Sequence, residues 1–173
     1  NTEAMCLFKT TSDAHLEEVF DAGAETNVPD DVKWAGLDES QRTAVKRLYA
    51  WIRSCVPDGA TSADLSTFKS EKFRDEISDY FDKAFLLTYY LWTDYFLAVD
   101  QRAKNMMLRT WDGLIWYITY YDGDTQMGKR NDCFLVYDYT TDRDTYDAEA
   151  GKYAFEGRDS WLWNLVLANL DAD

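Results

Sequence analysis

The chain has 173 residues, of which 46% are hydrophobic and 16% aromatic, so it has the size and composition of one folded domain and not of a disordered segment. Its 32 acidic and 18 basic residues give a net charge of −14, which argues against nucleic acid or an anionic membrane as a partner. One histidine and three scattered cysteines argue against a His-based catalytic centre, a zinc knuckle and a disulfide framework.

The N-terminal half is predicted to contain one strand and two helices. A short apolar run at 4–9 predicts a strand, and the Gly- and Pro-containing segment 21–33 predicts a loop. Asp38 and Gln41 have the spacing of a capping box, which opens a helix. Apolar residues then recur at helical spacing up to the stop at Pro57: Val45, Leu48, Tyr49, Ile52 and Val56. A second, more polar helix is predicted over 68–81.

The C-terminal half is predicted to contain two more helices and a β-hairpin. A third helix starts at the cap Asp82 and runs to about Val99; it is apolar nearly all round, which predicts a buried central helix. Asp112 and Gly113 predict the tight turn of a hairpin over 105–121. Further predictions are a strand over 131–139, a loop over 142–157 and a final helix over 161–170 capped by Ser160.

A run of charged and polar residues follows the predicted third helix. Residues 100–105 read Asp-Gln-Arg-Ala-Lys-Asn, the D-x-[KR]-x-x-N spacing of a kinase catalytic loop, and the hairpin and an Asp-Gly-Asp follow in the order that kinases use. Phosphoryl transfer needs a carboxylate to orient the attacking hydroxyl, for which Asp100 is the candidate; its plainer interpretation is a turn residue. Arg102 would place positive charge near the transferred phosphate, and Lys104 is a weaker candidate nucleotide contact.

Oxygen ligands for a divalent cation are the other requirement of this chemistry. Mg²⁺ prefers carboxylate oxygens, amide oxygens and water, so Asn105 and Asp122 are predicted ligands, Asp124 is an additional one, and Ca²⁺ is the alternative ion. Plainer interpretations stay open. Asn105 would then cap a turn, Asp122 and Asp124 would be turn residues or a structural calcium site, and Arg102 and Lys104 would pair with acidic neighbours at the surface.

The segment Leu114-Ile-Trp-Tyr-Ile-Thr-Tyr-Tyr-Asp-Gly-Asp124 resembles the strand and D-x-D element of the CotH family of atypical, spore-coat-type protein kinases. Residues 100–105 and the helix before them are similar to that family's catalytic loop, and the resemblance covers roughly 81–128. It implies an ATP- and Mg²⁺-dependent kinase of secreted or surface proteins. By the same resemblance, Asp100 is catalytic, and Asn105 and Asp122 bind the metal.

A second resemblance covers nearly the whole chain. The segments 1–9, 100–108, 110–113, 116–117, 121–125 with Gly128, and 157–164 look like parts of large structural proteins of tailed bacteriophages. Those proteins are virion components associated with the tail, and they resemble the CotH-like fold. The two resemblances are compatible, because one implies the fold and the other implies the biological setting.

The chain also departs from a complete kinase. It has no G-x-G-x-x-G loop, Ala98 and Val99 stand where kinases carry His-Arg, and D-G-D-T replaces D-F-G. Residues 1–173 are predicted to form a single domain without the front lobe. Either it is a fragment of a larger chain whose front lobe precedes Asn1, or it is a scaffold use of half the fold.

We expect a helix-dominated α+β fold that resembles a kinase C-terminal lobe with a small hairpin sheet. The expected function is a structural component of a tailed-phage virion, located in the virion and bound to other virion proteins or to the rest of its parent chain. One alternative is an active CotH-like Ser/Thr kinase that uses ATP and Mg²⁺, in the bacterial cytoplasm or on the spore or cell surface. A weaker one is a metal-stabilised carbohydrate- or cell-surface-binding module, suggested by the aromatic residues and the acidity.

Overall fold

The computed structural model describes residues 6–9, 37–60, 65, 67–96, 98–102, 106–120, 123, 126–127, 146–147, 152–153 and 161–170. Of residues 6–9, 99, 100, 146–147 and 152–153 it describes the backbone alone. No helix within these ranges is long and apolar enough to cross a membrane.

In the described part of the chain, one strand precedes three α-helices, four strands follow them, and a fourth α-helix comes last. In chain order they are β1 (Cys6–Lys9), α1 (Glu39–Ser54), α2 (Glu71–Glu76), a 3₁₀ turn (Ile77–Asp79), α3 (Lys83–Tyr95), a second 3₁₀ turn (Val99–Arg102), β2 (Met106–Thr110), β3 (Trp116–Tyr120), β4 (Tyr146–Asp147), β5 (Lys152–Tyr153) and α4 (Trp161–Asn169). The chain is therefore a helix-dominated α+β fold, as predicted.

The capping box at the start of α1 is confirmed. Asp38 Oδ1 accepts a hydrogen bond from the Gln41 backbone N–H at 2.9 Å, and the Asp38 N–H donates to Gln41 Oε1 at 2.8 Å. Both bonds satisfy amide groups that a helix start leaves without an internal partner. The buried face of α1 consists of Ala44, Val45, Leu48, Trp51 and Ile52.

The second helix is shorter than predicted. It begins at Glu71 and not at Phe68, and it changes to a 3₁₀ turn at Ile77. Residues before it are held by α4, because Asn169 accepts from the Ser70 N–H at 2.6 Å and donates to the Phe68 carbonyl at 2.9 Å. The Ser70 side chain then caps the helix.

The third helix begins at the predicted cap, where Asp82 Oδ1 accepts from the Phe85 N–H at 2.9 Å. Two expectations about it are wrong. It ends at Tyr95 and not near Val99, because the Met127 N–H binds the Phe96 carbonyl at 2.7 Å and the chain turns there. It is also not buried all round, since the side of the helix that carries Tyr95 faces solvent.

The predicted hairpin is confirmed, with slightly narrower strands. Strands β1, β2 and β3 form one antiparallel sheet in that order, and Met106 pairs with Tyr120 at its open end. At the turn end, Gly113 has a positive φ of 75°, a backbone conformation that favours glycine. Asp112 Oδ1 accepts from the N–H groups of Leu114 and Ile115 at 2.8 and 3.0 Å.

The segment predicted as a loop over 142–157 contains two short strands. β4 and β5 pair antiparallel, with Tyr146 opposite Tyr153. The polar composition of this segment led to the loop prediction, although tyrosine is a favoured strand residue. The predicted loop over 21–33, the predicted strand over 131–139 and the predicted cap Ser160 lie outside the described residues.

The core lies between the helices and the sheet, and aromatic stacking connects its parts. The Trp51 ring lies 4.2 Å from the Tyr80 ring and 5.4 Å from the Phe73 ring, nearly parallel to both. Trp116 of β3 and Trp163 of α4 are fully buried. Large aromatic side chains remove much apolar area from water, so they account for a major part of the packing energy.

Candidate functional site

The predicted catalytic segment begins as a tight turn between α3 and β2. The Ala98 N–H binds the Thr93 carbonyl at 2.8 Å, and the Gln101 N–H binds the Ala98 carbonyl at 3.2 Å. Residues 99–102 form the 3₁₀ turn that follows. Asp100 lies in this turn by its backbone, so the predicted catalytic carboxylate belongs to a residue at the junction of α3 and the sheet.

Arg102, the last residue of the turn, points its side chain into the core. Its guanidinium is fully buried, donates from Nη2 to Asp94 Oδ1 at 3.0 Å, and lies 4.4 Å from the centre of the Tyr90 ring. Both partners are on α3. A buried arginine needs partners such as Asp94 and Tyr90, because removing a guanidinium from water without a counter-charge costs much free energy.

Two buried aromatic side chains hold the backbone of the turn. Trp163 of α4 donates from Nε1 to the Arg102 carbonyl at 2.7 Å, and the Tyr89 hydroxyl of α3 donates to the Gln101 carbonyl at 2.8 Å. The Trp163 and Tyr89 rings stack, with their centres 6.0 Å apart. The turn is thus fixed from both α3 and α4. We call Arg102, Asp94, Tyr90, Tyr89 and Trp163 the turn junction.

Burial sets the protonation of two further groups. It raises the pKa of the Tyr89 hydroxyl, an effect that the nearby positive charge of Arg102 opposes, so this hydroxyl stays protonated and donates its hydrogen bond. Burial also raises the pKa of the Cys55 thiol to about 11. At neutral pH neither group is an anion, and neither is a nucleophile or a base there.

The other predicted site residues, Lys104, Asn105, Asp122 and Asp124, lie outside the described residues. The strands beside them are described: β2 begins at Met106 and β3 ends at Tyr120, and these two residues are paired. Met106 follows Asn105 directly in the sequence and Tyr120 precedes Asp122 by two residues.

No three His, Cys, Asp or Glu side chains gather into a metal-binding group within the described ranges. The metal prediction concerns residues outside these ranges, so it stays a prediction, and so do the predicted roles of Asp100 and Arg102. In the described geometry, the Arg102 guanidinium contacts Asp94 and Tyr90 and not solvent.

An open pocket of about 340 Å³ lies at the turn end of the hairpin. Its wall contains Arg47, whose guanidinium lies 4.2 Å from the Tyr80 ring centre and donates from Nη1 to the Leu114 carbonyl at 3.1 Å. The Trp116 N–H binds the Tyr80 carbonyl at 2.7 Å. We call Arg47, Tyr80, Leu114 and Trp116 the hairpin junction. It fastens the hairpin to α1 at the turn end, opposite to the open end at which Met106 and Tyr120 pair.

Sequence reasoning found Arg102 but missed the residues that hold it. Asp94 is the one acidic residue within α3. A carboxylate in such an apolar helix is a signal for a buried ion pair, and this signal was present in the sequence. The contributions of Tyr90 and Trp163 depend on packing between helices and have no comparable signal.

No protein-family model matches the chain, and neither a curated protein nor a solved structure matches it. The resemblances to CotH-type kinases and to tailed-phage proteins therefore rest on the residues quoted for them.

Proposed function

We propose that the chain is a structural component of a tailed-phage virion, associated with the tail and built on a CotH-kinase-like C-terminal lobe. The observation that supports a structural role is the burial of Arg102. A kinase loop presents its positive charge to the transferred phosphate, whereas here the guanidinium is only 1% exposed and binds Asp94. In this arrangement the turn connects two helices with the sheet.

Purified phage particles provide the test. The chain, or the parent protein that contains it, is expected among the virion proteins by mass spectrometry, in amounts comparable to other tail proteins. A particle preparation that lacks it would contradict the proposal.

Two substitutions separate a structural role from a catalytic one. Asp100→Asn keeps the size of the side chain and removes the carboxylate, so assembly and infectivity are expected to be unchanged. Asp94→Ala leaves the buried Arg102 charge without its carboxylate and is expected to reduce the yield of particles. Loss of infectivity in Asp100→Asn with normal particle yield would favour catalysis.

A second candidate is an active CotH-like protein kinase that uses ATP and Mg²⁺. It is supported by the order of α3, the turn at 99–102 and the hairpin, which is the order of elements around a kinase catalytic loop. Mg²⁺-ATP is then expected to raise the melting temperature, and Asp122→Ala to abolish the rise. Asp58→Ala, a change at an exposed residue beyond the end of α1, is the matched control. The absence of any rise in the full-length parent protein would exclude this candidate.

A further inference from the structure

The exposed side of α3 carries no charge over most of its length. Its exposed positions after Lys83 are Ala84, Thr88, Leu91 and Tyr95, which lie on one face because they are spaced by three and four residues. Leu91 is 60% exposed and Tyr95 81% exposed. The four side chains form one contiguous uncharged face, and contiguous exposed apolar patches mark contact surfaces. We call these four residues the α3 stripe.

The polar group within the stripe is satisfied inside its own helix. The Thr88 hydroxyl donates to the Ala84 carbonyl at 2.8 Å. A partner that covers Thr88 therefore has no need to supply a hydrogen bond. The stripe behaves as an apolar surface along about 16 Å of helix, from the rise of 1.5 Å per residue.

The side-chain sizes along the α3 stripe are complementary to those of a second, antiparallel copy of the stripe. Its first two residues, Ala84 and Thr88, are small, and its last two, Leu91 and Tyr95, are large. If a second copy lies antiparallel across the stripe, Ala84 faces the partner's Tyr95 and Thr88 faces the partner's Leu91. Small residues then oppose large ones at every contact, which fills the space between the helices without clashes.

The charges beside the stripe fit the same arrangement. At about 100° per residue, Lys83 and Asp94 lie on the same flank of α3, at opposite ends of the stripe. In an antiparallel pair, each Lys83 comes within about 3 Å along the axis of the partner's Asp94. Lys83 is exposed, and the Asp94 side chain keeps 22% exposure while it binds Arg102. Two oppositely charged pairs thus fix the direction of the helices.

We infer that α3 is a docking surface for a second copy of this chain, which forms a two-fold symmetric, antiparallel helix pair along the α3 stripe. A symmetric pair presents the same patch from each subunit. One helix face makes a small interface, so the association is expected to be reversible and dependent on concentration. The inference does not depend on the proposed virion function.

Sedimentation velocity over a concentration series tests the association. The chain is expected to pass from monomer to dimer, and Leu91→Glu to weaken the dimer more than about thirtyfold, because it places two carboxylates beside the symmetry axis. Leu167→Glu is the matched control, since Leu167 is 39% exposed on α4, and it is expected to leave the dimer unchanged. Lys83→Glu is expected to weaken the dimer roughly fivefold.

A disulfide experiment tests the direction. Chains with Ala84→Cys and chains with Tyr95→Cys are expected to cross-link when mixed, and neither to cross-link alone beyond the unsubstituted chain, because like positions lie about 16 Å apart. Equal cross-linking by either variant alone would overturn the antiparallel pair. A chain that stays monomeric at all concentrations would overturn the inference. If Tyr95 were then protected from chemical modification in purified particles, the α3 stripe would be assigned to contact with another virion protein.

Discussion

Arg47 and Arg102 make the same aromatic contact in two different settings. Each guanidinium lies over a tyrosine ring, at 4.2 Å for Arg47 and 4.4 Å for Arg102. Arg47 is half-buried at an open pocket and donates to backbone carbonyls, whereas Arg102 is fully buried and binds a carboxylate. Water solvates the first charge and cannot reach the second, so the hairpin junction tolerates the loss of a partner and the turn junction does not.

The largest effect is expected from Asp94→Ala. This change removes the Asp94 carboxylate, which binds the fully buried Arg102 guanidinium, so we expect it to lower the free energy of unfolding by about 3 kcal/mol. Urea denaturation measures the difference. The double variant Asp94→Leu with Arg102→Met removes both charges and is expected to be more stable than Asp94→Ala alone. A double variant less stable than the single one would contradict this account of the turn junction.

Trp163→Phe is expected to have the second largest effect, about 2 kcal/mol. It keeps an aromatic ring in the core and removes the N–H that binds the Arg102 carbonyl, which leaves a buried acceptor without that donor. The same urea measurement applies. Trp161→Phe is the control, because Trp161 is only partly buried, and equal losses in the two variants would show that the hydrogen bond is unimportant.

Arg47→Met is expected to cost about 1 kcal/mol. It removes the contact with Tyr80 and the hydrogen bond to Leu114, but water can reach the exposed carbonyl. Arg102→Met makes the same chemical change at the turn junction. A larger loss for Arg47→Met than for Arg102→Met would reverse the comparison between the two arginines.

The smallest effect concerns pH and the turn of the hairpin. Hydrogen bonds from the Ile115 and Leu114 N–H groups hold the pKa of Asp112 below its ordinary value of 3.8. A carboxyl group with a lowered folded-state pKa stabilises the fold above that ordinary value, and this contribution is lost as the pH falls through the lowered pKa. Asp112→Asn is therefore expected to be slightly less stable than the unsubstituted chain at pH 7. Thermal melts at successively lower pH below 3.8 should show the difference shrink, and a constant difference would contradict the assignment.

Local signals in the sequence predicted the elements that local contacts determine. Asp38, Asp82 and the Asp112-Gly113 turn all bind backbone groups within three residues of themselves. Their local spacing was therefore enough to predict the two helix starts and the hairpin turn. The predicted ends of α2 and α3 were wrong, because residues that are distant in the sequence determine where these helices begin and end. Asn169 binds the segment before α2, and Met127 binds the end of α3.

In the candidate site too, the sequence predicts what local contacts determine and not what distant contacts determine. The spacing of residues 100–105 predicts a catalytic loop after a helix, and the described residues at its start, 99–102, form a 3₁₀ turn. The direction of the Arg102 side chain depends on Asp94 eight residues earlier and on packing against Tyr90. Side-chain packing between helices has no fixed spacing, so the sequence alone left a phosphate contact and a surface ion pair as open alternatives for Arg102.

The pairing of β1 with β2 bears on the order in which the molecule folds. Cys6 lies opposite Thr110, so about one hundred residues separate two strands that are neighbours in the sheet, whereas β2 and β3 are joined by a tight turn. Closing a long loop costs more chain entropy than closing a short one. The hairpin is therefore expected to form early and to act as the template on which β1, although synthesised first, is added late.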